Sequence, residues 1–322
     1  MFRKKINHVC GVISCMVGLM GLSAFAESDE FVADPAKDGL LEYMTFEEQV
    51  QLPFKEVTVD LYIPIDDKKS PFPIVVFNHG FSAKAKDYAG YGGRLASHGF
   101  LTVMPSMDGF LKSLNHNQLL QISYQLNNWI VSSAKTPGSR LYGVADVSRI
   151  AVGGHSRGGK QGLSVATIDE RVKASFNLDP VDSGPPLVPE DPKAYPSLTP
   201  EEMDKIEIPT GYIGGGKSVQ GRFGIPCAPE HDNYFQFYIH SPSPSYSYYL
   251  PEAGHNDFRD ECGFTCKIAC SAGKDPQFTR DFSRMMMVAF YKVFLNEDEK
   301  YRSWLEGEKL EKYRSKISSE QH

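Results

Sequence analysis

The segment Gly154-His155-Ser156-Arg157-Gly158 is a G-x-S-x-G pattern directly downstream of the apolar run Ile150-Ala151-Val152. The pattern has a demanding physical meaning. A strand passes into a helix through an elbow so sharp that the serine is held in a strained backbone conformation, and a side chain on either flanking glycine would collide with the neighbouring strand or helix. The run Gly158-Gly159-Lys160-Gln161-Gly162-Leu163-Ser164-Val165-Ala166 supplies the small residues that let the helix pack back on the sheet. With 28 glycines in the chain a plain glycine-rich turn is the competing reading, and the strand and helix patterns on either side of the serine decide against it. Ser156 is expected at the carboxyl end of its strand as an activated nucleophile.

The rest of the chain alternates strand and helix patterns. Residues 56–63 partly alternate polar and apolar, as a half-exposed strand does, whereas 73–77 and 101–104 read as strands buried on both faces. Leu119, Ile122, Leu126, Trp129 and Ile130 recur at the helical period. After the serine, 172–179, 208–213 and 246–250 read as further strands, and Phe278, Phe282, Met285, Met286, Ala289 and Val293 mark one face of a final amphipathic helix. Such a succession predicts an α/β architecture, a mostly parallel sheet with helices on both faces. The catalytic unit is expected over residues 27–298, followed by a charged, helical tail over 299–322.

Sheets of this kind present functional groups at the carboxyl ends of strands, and a serine on such an elbow is followed in chain order by an acid and then a histidine. His255, after Gly254 and shortly beyond the 246–250 strand, is the histidine best suited to be the base. Asp179 closes the strand after the nucleophile helix and is the preferred acid, with Asp182 further along the same loop as the alternative and a simple Asp-Pro turn as the structural one. Asn78-His79-Gly80-Phe81 follows the 73–77 strand, where an oxyanion-hole amide is expected, so Phe81 N–H is paired with Arg157 N–H. This chemistry needs no metal and no organic cofactor. One competing motif, Gly211-Tyr212-Ile213-Gly214-Gly215-Gly216-Lys217-Ser218, satisfies the G-x-x-x-x-G-K-S phosphate-loop pattern, but Gly221, Gly224 and Pro226 break the helix that such a loop requires.

The N-terminus reads as an export signal. Arg3, Lys4 and Lys5 precede an apolar stretch, and Ala24-Phe25-Ala26 offers a small-x-small cleavage site after residue 26. The stretch is too short and too interrupted by glycine to remain as a membrane span. Cleavage would leave Cys227, Cys262, Cys266 and Cys270, which an oxidising compartment, periplasmic or extracellular, is expected to join as two disulfides. Their three-residue gaps match no common zinc pattern. The formal net charge of -6, without a basic cluster, argues against nucleic acid or an anionic membrane as partner.

Gly154-His155-Ser156-Arg157-Gly158-Gly159 resembles the nucleophile signature of chlorophyllases, and Leu178-Asp179-Pro180-Val181-Asp182 resembles that family's acid segment. Leu95-Ala96-Ser97-His98-Gly99-Phe100 and Gly254-His255-Asn256-Asp257-Phe258 resemble two shorter stretches of the same family, the second bearing its histidine. The likeness runs over roughly residues 73–295. It implies an α/β-hydrolase fold, with Ser156 as nucleophile, Asp179 as acid and His255 as base, acting on a small-molecule or lipid-like carboxylic ester. Polyester hydrolases, cutinase-like lipases and platelet-activating-factor acetylhydrolases share parts of the pattern. Met107-Asp108-Gly109-Phe110-Leu111 and Pro185-Pro186-Leu187-Val188-Pro189 either line an apolar mouth above the serine, favouring hydrophobic esters, or are ordinary surface loops. A catalytically silent binding protein on the same fold is the alternative of another class. An activated serine, detectable with a fluorophosphonate, separates the two.

Overall fold

Strand β3 (Phe72–Asn78) is buried along its whole length, and its alternating side chains serve two different cores. Ile74 and Val76 point into one apolar cluster with Leu119, Ile122, Leu126 and Ile130, while Val75 and Phe77 point into another with Leu95, Met286 and Phe290. A strand with period-two alternation between two apolar faces must lie inside a three-layer sandwich. The computed structural model describes residues 32–107, 114–184, 191–221 and 225–322, and Val32–His322 forms one compact unit.

Among the described residues the sheet has nine strands in the order β1-β2-β4-β3-β5-β6-β7-β8-β9. These are β1 (Tyr43–Gln51), β2 (Glu56–Pro64), β3, β4 (Leu101–Ser106), β5 (Ala145–His155), β6 (Val172–Leu178), β7 (Thr210–Gly215), β8 (Ser245–Leu250) and β9 (Ser318–Gln321). The strands from β3 to β8 run parallel, whereas β1, β2 and β9 join the edges antiparallel. This is the mostly parallel sheet of an α/β-hydrolase fold. Helices α1 (Ala89–Ser97) and α2 (His116–Ser133) flank β4 in sequence, and α3 (Arg157–Ala166) leads out of β5. Two further helices follow, α4 (Tyr234–Ile239) and α5 (Phe264–Ala269), and then the long α6 (Pro276–Phe294).

Because β3 pairs with β4 on one side and β5 on the other, the chain reverses its direction of winding between β3 and β5. Open parallel sheets form their binding crevice at such a reversal, outside the carboxyl ends of the strands. The residues that leave those two ends are 78–81 and 155–157, so the fold brings the turn after β3 to the serine elbow.

Segment 299–322, read from the sequence as a charged helical tail, packs into the same compact unit. It forms a short 3-10 turn and the helices α7 (Arg302–Glu306) and α8 (Glu308–Glu311), and then ends in β9, which pairs with β8. Tyr301, Trp304, Leu305, Leu310 and Ile317 are buried in the core shared with α6. Its charges lie on the outer face, which is why composition alone hides its core role. Trp304→Ala should destabilise the fold by about 3 to 5 kcal/mol, the usual cost of emptying an aromatic core site, as measured by urea unfolding.

Candidate active site

Ser156 has φ 57° and ψ -128°, a left-handed conformation that ordinary residues avoid. The strain is held by its surroundings. Ser156 N–H donates to the Leu178 carbonyl at 2.9 Å, and its own carbonyl accepts from Gly159 N–H at 3.0 Å as α3 begins. The flanking glycines are required by close backbone approach. A Cβ on Gly158 would overlap the Asn78 carbonyl, and one on Gly154 would overlap both that carbonyl and Gly158 itself. The elbow is therefore pressed against the end of β3.

His255 reaches the serine at the same, carboxyl end of the sheet, from the turn that follows β8. Its Nε2 lies 2.8 Å from Ser156 Oγ, and its Nδ1 lies 2.7 Å from Asp179 Oδ2. Asp179 follows β6 with φ 43° and is fully buried. Its Oδ1 accepts from Gly215 N–H at 3.1 Å, and its Oδ2 accepts from the Ser218 hydroxyl at 2.5 Å. A carboxylate without solvent must take its hydrogen bonds from the protein, and here the last residue of β7 and the loop after it each provide one.

That loop is the one carrying the phosphate-loop-like pattern. Residues 210–215 form β7 and residues 216–220 form turns, and among the described residues the next helix is α4, beginning at Tyr234. Lys217 pairs with Glu252 at 3.0 Å. Ser218, the last residue of the pattern, thus serves Asp179, a role the sequence signalled only through its position after a strand end.

Phe81 and Arg157, the expected amide donors, lie together. The Arg157 guanidinium sits 5.3 Å from the centre of the Phe81 ring, and Arg157 is the first residue of α3, at the positive end of its dipole. A Cβ on the preceding Gly80 would come within 3.3 Å of Ser156 Cβ, so the turn after β3 runs alongside Ser156.

Asp182 is engaged elsewhere. Its Oδ1 lies 2.8 Å from the Lys160 ammonium, in an ion pair 2% exposed on the lysine side and sealed on the other. Its carboxylate also accepts from the Leu198 and Thr199 amides and the Thr199 hydroxyl. Burial pushes the Asp182 carboxyl up, but the Lys160 charge and these hydrogen bonds outweigh it and hold the group below its ordinary value. Asp182 therefore fastens the 197–199 turn over α3. The sequence gives no warning of Lys160, a charge buried on a helix of small residues.

Of the expected mouth residues, Met107 is buried, with its amide donating to His79 Nε2 at 3.1 Å. Residues 108–111 and 185–189 lie outside the described residues, as does the export-signal segment. The four cysteines pair as Cys227–Cys270 and Cys262–Cys266. The first bridge has a specific consequence. Cys227 and Ala228 N–H both donate to the Ser218 carbonyl, and Asn256 donates to the Cys266 carbonyl at 2.9 Å. The bridges thereby tie the loop behind Asp179 to the loop behind His255. Among the described residues no cluster of histidine, cysteine or carboxylate side chains could hold a metal ion, and no helix is long and apolar enough to cross a membrane.

A nine-stranded, mostly parallel sheet with this elbow defines an α/β hydrolase. The family model for chlorophyllases matches residues 37–311, and the chain belongs to that family. It is 27% identical to the chlorophyllase type 0 of Chenopodium album over 245 residues, covering 70% of this chain and 69% of that protein. It is 24% identical to chlorophyllase-2 of Arabidopsis thaliana over 253 residues, or 72% and 76% of the two chains. Cutinase est2 of Thermobifida alba is 24% identical over 249 residues, or 76% and 66%. These relatives make the chain an ester hydrolase of the chlorophyllase family.

Asp182→Asn should strand the Lys160 charge and cost about 3 to 5 kcal/mol. Since the folded-state pKa of Asp182 is depressed, its contribution is present above the ordinary carboxylate range and fades as pH falls through the folded value. Urea unfolding at pH 7 should therefore separate variant and wild type widely, and unfolding near pH 2 should bring them together. For the cysteines, thiol titration of the denatured, unreduced protein beginning after residue 26 should find none, and reduction should lower both Tm and activity.

Proposed function

We propose that the protein is an exported serine esterase that works through an acyl-enzyme, with Ser156 as nucleophile, His255 as general base and then acid, and Asp179 as the orienting carboxylate. The observation that carries this reading is the unbroken hydrogen-bonded series Ser156 Oγ, His255 Nε2, His255 Nδ1 and Asp179 Oδ2, with steps of 2.8 and 2.7 Å. Ser156 Oγ attacks the ester carbonyl carbon as His255 Nε2 takes its proton. Asp179 fixes the imidazole with Nδ1–H toward the carboxylate, which leaves Nε2 as the basic nitrogen, and stabilises the imidazolium. The amides of Phe81 and Arg157 hold the tetrahedral oxyanion, each such donor typically lowering the barrier by about 2.7 to 4 kcal/mol. The alcohol leaves with the proton from His255, and water repeats the sequence to release the acid.

The substrate class is hydrophobic carboxylic esters. Relatives named as chlorophyllases and cutinases support this, and so does the partly buried Phe81 ring beside the elbow. Export is supported by the N-terminal pattern of a basic start, an apolar run and Ala24-Phe25-Ala26, together with the two disulfides. Hydrolysis rates across esters of increasing chain length, with a chlorophyll-type ester included, define the preference.

Ser156→Ala and His255→Ala are each expected to lower kcat by several orders of magnitude, and the double variant to cost little more, because the two act as one unit. Multiplicative losses would speak against the pairing. Asp179→Asn should fold yet lose most of its kcat, since an amide favours the wrong imidazole tautomer, and Asp182→Asn should retain far more activity per folded molecule. A catalytically silent protein would leave a fluorophosphonate unreacted at Ser156.

A further inference from the structure

His155, the second residue of the G-x-S-x-G pattern, is 1% exposed. Its ring Nε2 lies 2.8 Å from the backbone carbonyl of His255, and its Nδ1 lies 2.7 Å from the Tyr88 hydroxyl. The chemistry of the partners fixes every proton. A carbonyl only accepts, so Nε2 carries the hydrogen, and in a neutral ring Nδ1 is then an acceptor. Tyr88 must donate its O–H to Nδ1, which leaves its oxygen to accept the Gly80 N–H at 3.3 Å. Burial holds the imidazole well below its ordinary pKa, and the neighbouring His255 pushes the same way, so the neutral tautomer is the one present.

We propose that His155 and Tyr88 are positioning residues that lock the backbone of the base-bearing His255 to the turn at Gly80 and Phe81, so that base and oxyanion donors keep one spacing about Ser156. The proposal rests on the Ser156-His255-Asp179 reading. Three features make the connection specific. A Cβ on Gly80 would stand 3.1 Å from His155 Nδ1 and 3.2 Å from the Tyr88 oxygen, so a side chain there would crowd the pair. The His155 ring lies 4.7 Å from the His255 ring and 5.5 Å from Phe258, bracing the short 3-10 turn His255–Phe258 from its side. Tyr88 is itself fixed against Phe77 and Tyr91, with ring centres 5.4 and 6.3 Å away. A ring that remains neutral beside His255 also adds no charge when His255 takes up a proton.

The test uses Tyr88→Phe, which removes one oxygen and keeps the ring packing, together with His155→Leu and His155→Gln. Rates are measured with a short-chain p-nitrophenyl ester and normalised to the Ser156 sites titrated by a fluorophosphonate, so that a misfolded fraction does not count. Tyr88→Phe should lower kcat roughly ten-fold and His155→Leu roughly a hundred-fold with KM within about two-fold, as expected when a base is displaced while substrate binding is left intact. His155→Gln, which keeps an N–H donor, should recover part of the loss, and Tyr88→Phe combined with His155→Leu should cost no more than His155→Leu alone. Wild-type kcat in Tyr88→Phe and His155→Leu, a loss confined to KM, or losses that multiply would overturn the proposal. Ser156→Ala separates the two levels. If it is inactive while Tyr88→Phe and His155→Leu keep wild-type kcat, only the positioning role fails, and if it retains full activity the triad reading itself fails.

Discussion

The close approach of backbone to backbone at the elbow is the constraint on which the rest of the site depends. Gly154 and Gly158 let the end of β5 and the start of α3 press on the Asn78 carbonyl at the end of β3. No side chain can mediate that contact, so its geometry is as rigid as the sheet itself. The strained φ of Ser156 persists because strand, helix and the Leu178 carbonyl all over-determine it. The turn bearing Gly80 and Phe81 is held beside Ser156 by the same contact.

Around this fixed point the protein places polar groups in a dry interior and satisfies them one by one. Asp179 and Asp182 stand three positions apart after β6, are both buried, and do different work. Asp179 takes its hydrogen bonds from the β7 loop and His255, whereas Asp182 takes an ammonium and the amides of the 197–199 turn. Each carboxylate would be costly to bury without these partners. The loops that supply them are fastened in turn by the Cys227–Cys270 bridge and by Asp257, whose carboxylate accepts from Gly254 and Gly273 N–H. Order in the site is thus borrowed from loops distant in sequence.

The sheet constrains pattern more than residue identity. An apolar strand can be rewritten as long as alternation and volume survive, and this chain is 24 to 27% identical to relatives named as chlorophyllases and cutinases. The elbow glycines, by contrast, are fixed by backbone overlap, and a change there has no compensating side chain to move.

What the sequence determined by itself is whatever is local. The elbow, the buried strands at β3 and β4, the long helices α2 and α6, and Ser156, Asp179 and His255 as candidates all follow from short-range pattern, because strand and helix periods and turn chemistry are written within a few residues. Only the tertiary structure decided what depends on partners far along the chain. The edge strand β9 is polar and largely exposed, so no apolar pattern marks it, and β1 turns only Phe46 and Val50 toward the core; pairing with β8 and β2 makes them strands. Its place at a strand end ranks Asp179 ahead of Asp182, but which carboxylate meets His255 and which meets Lys160 is settled by the end of β7, the loop after it and α3. The same holds for the cysteine pairing, for Ser218 behind Asp179, and for His155, whose neighbours in space, Tyr88 and His255, lie 67 and 100 residues away in sequence. Hydrogen-bond partners in a buried site are chosen by proximity in the folded state, and proximity is the one quantity a linear sequence does not carry.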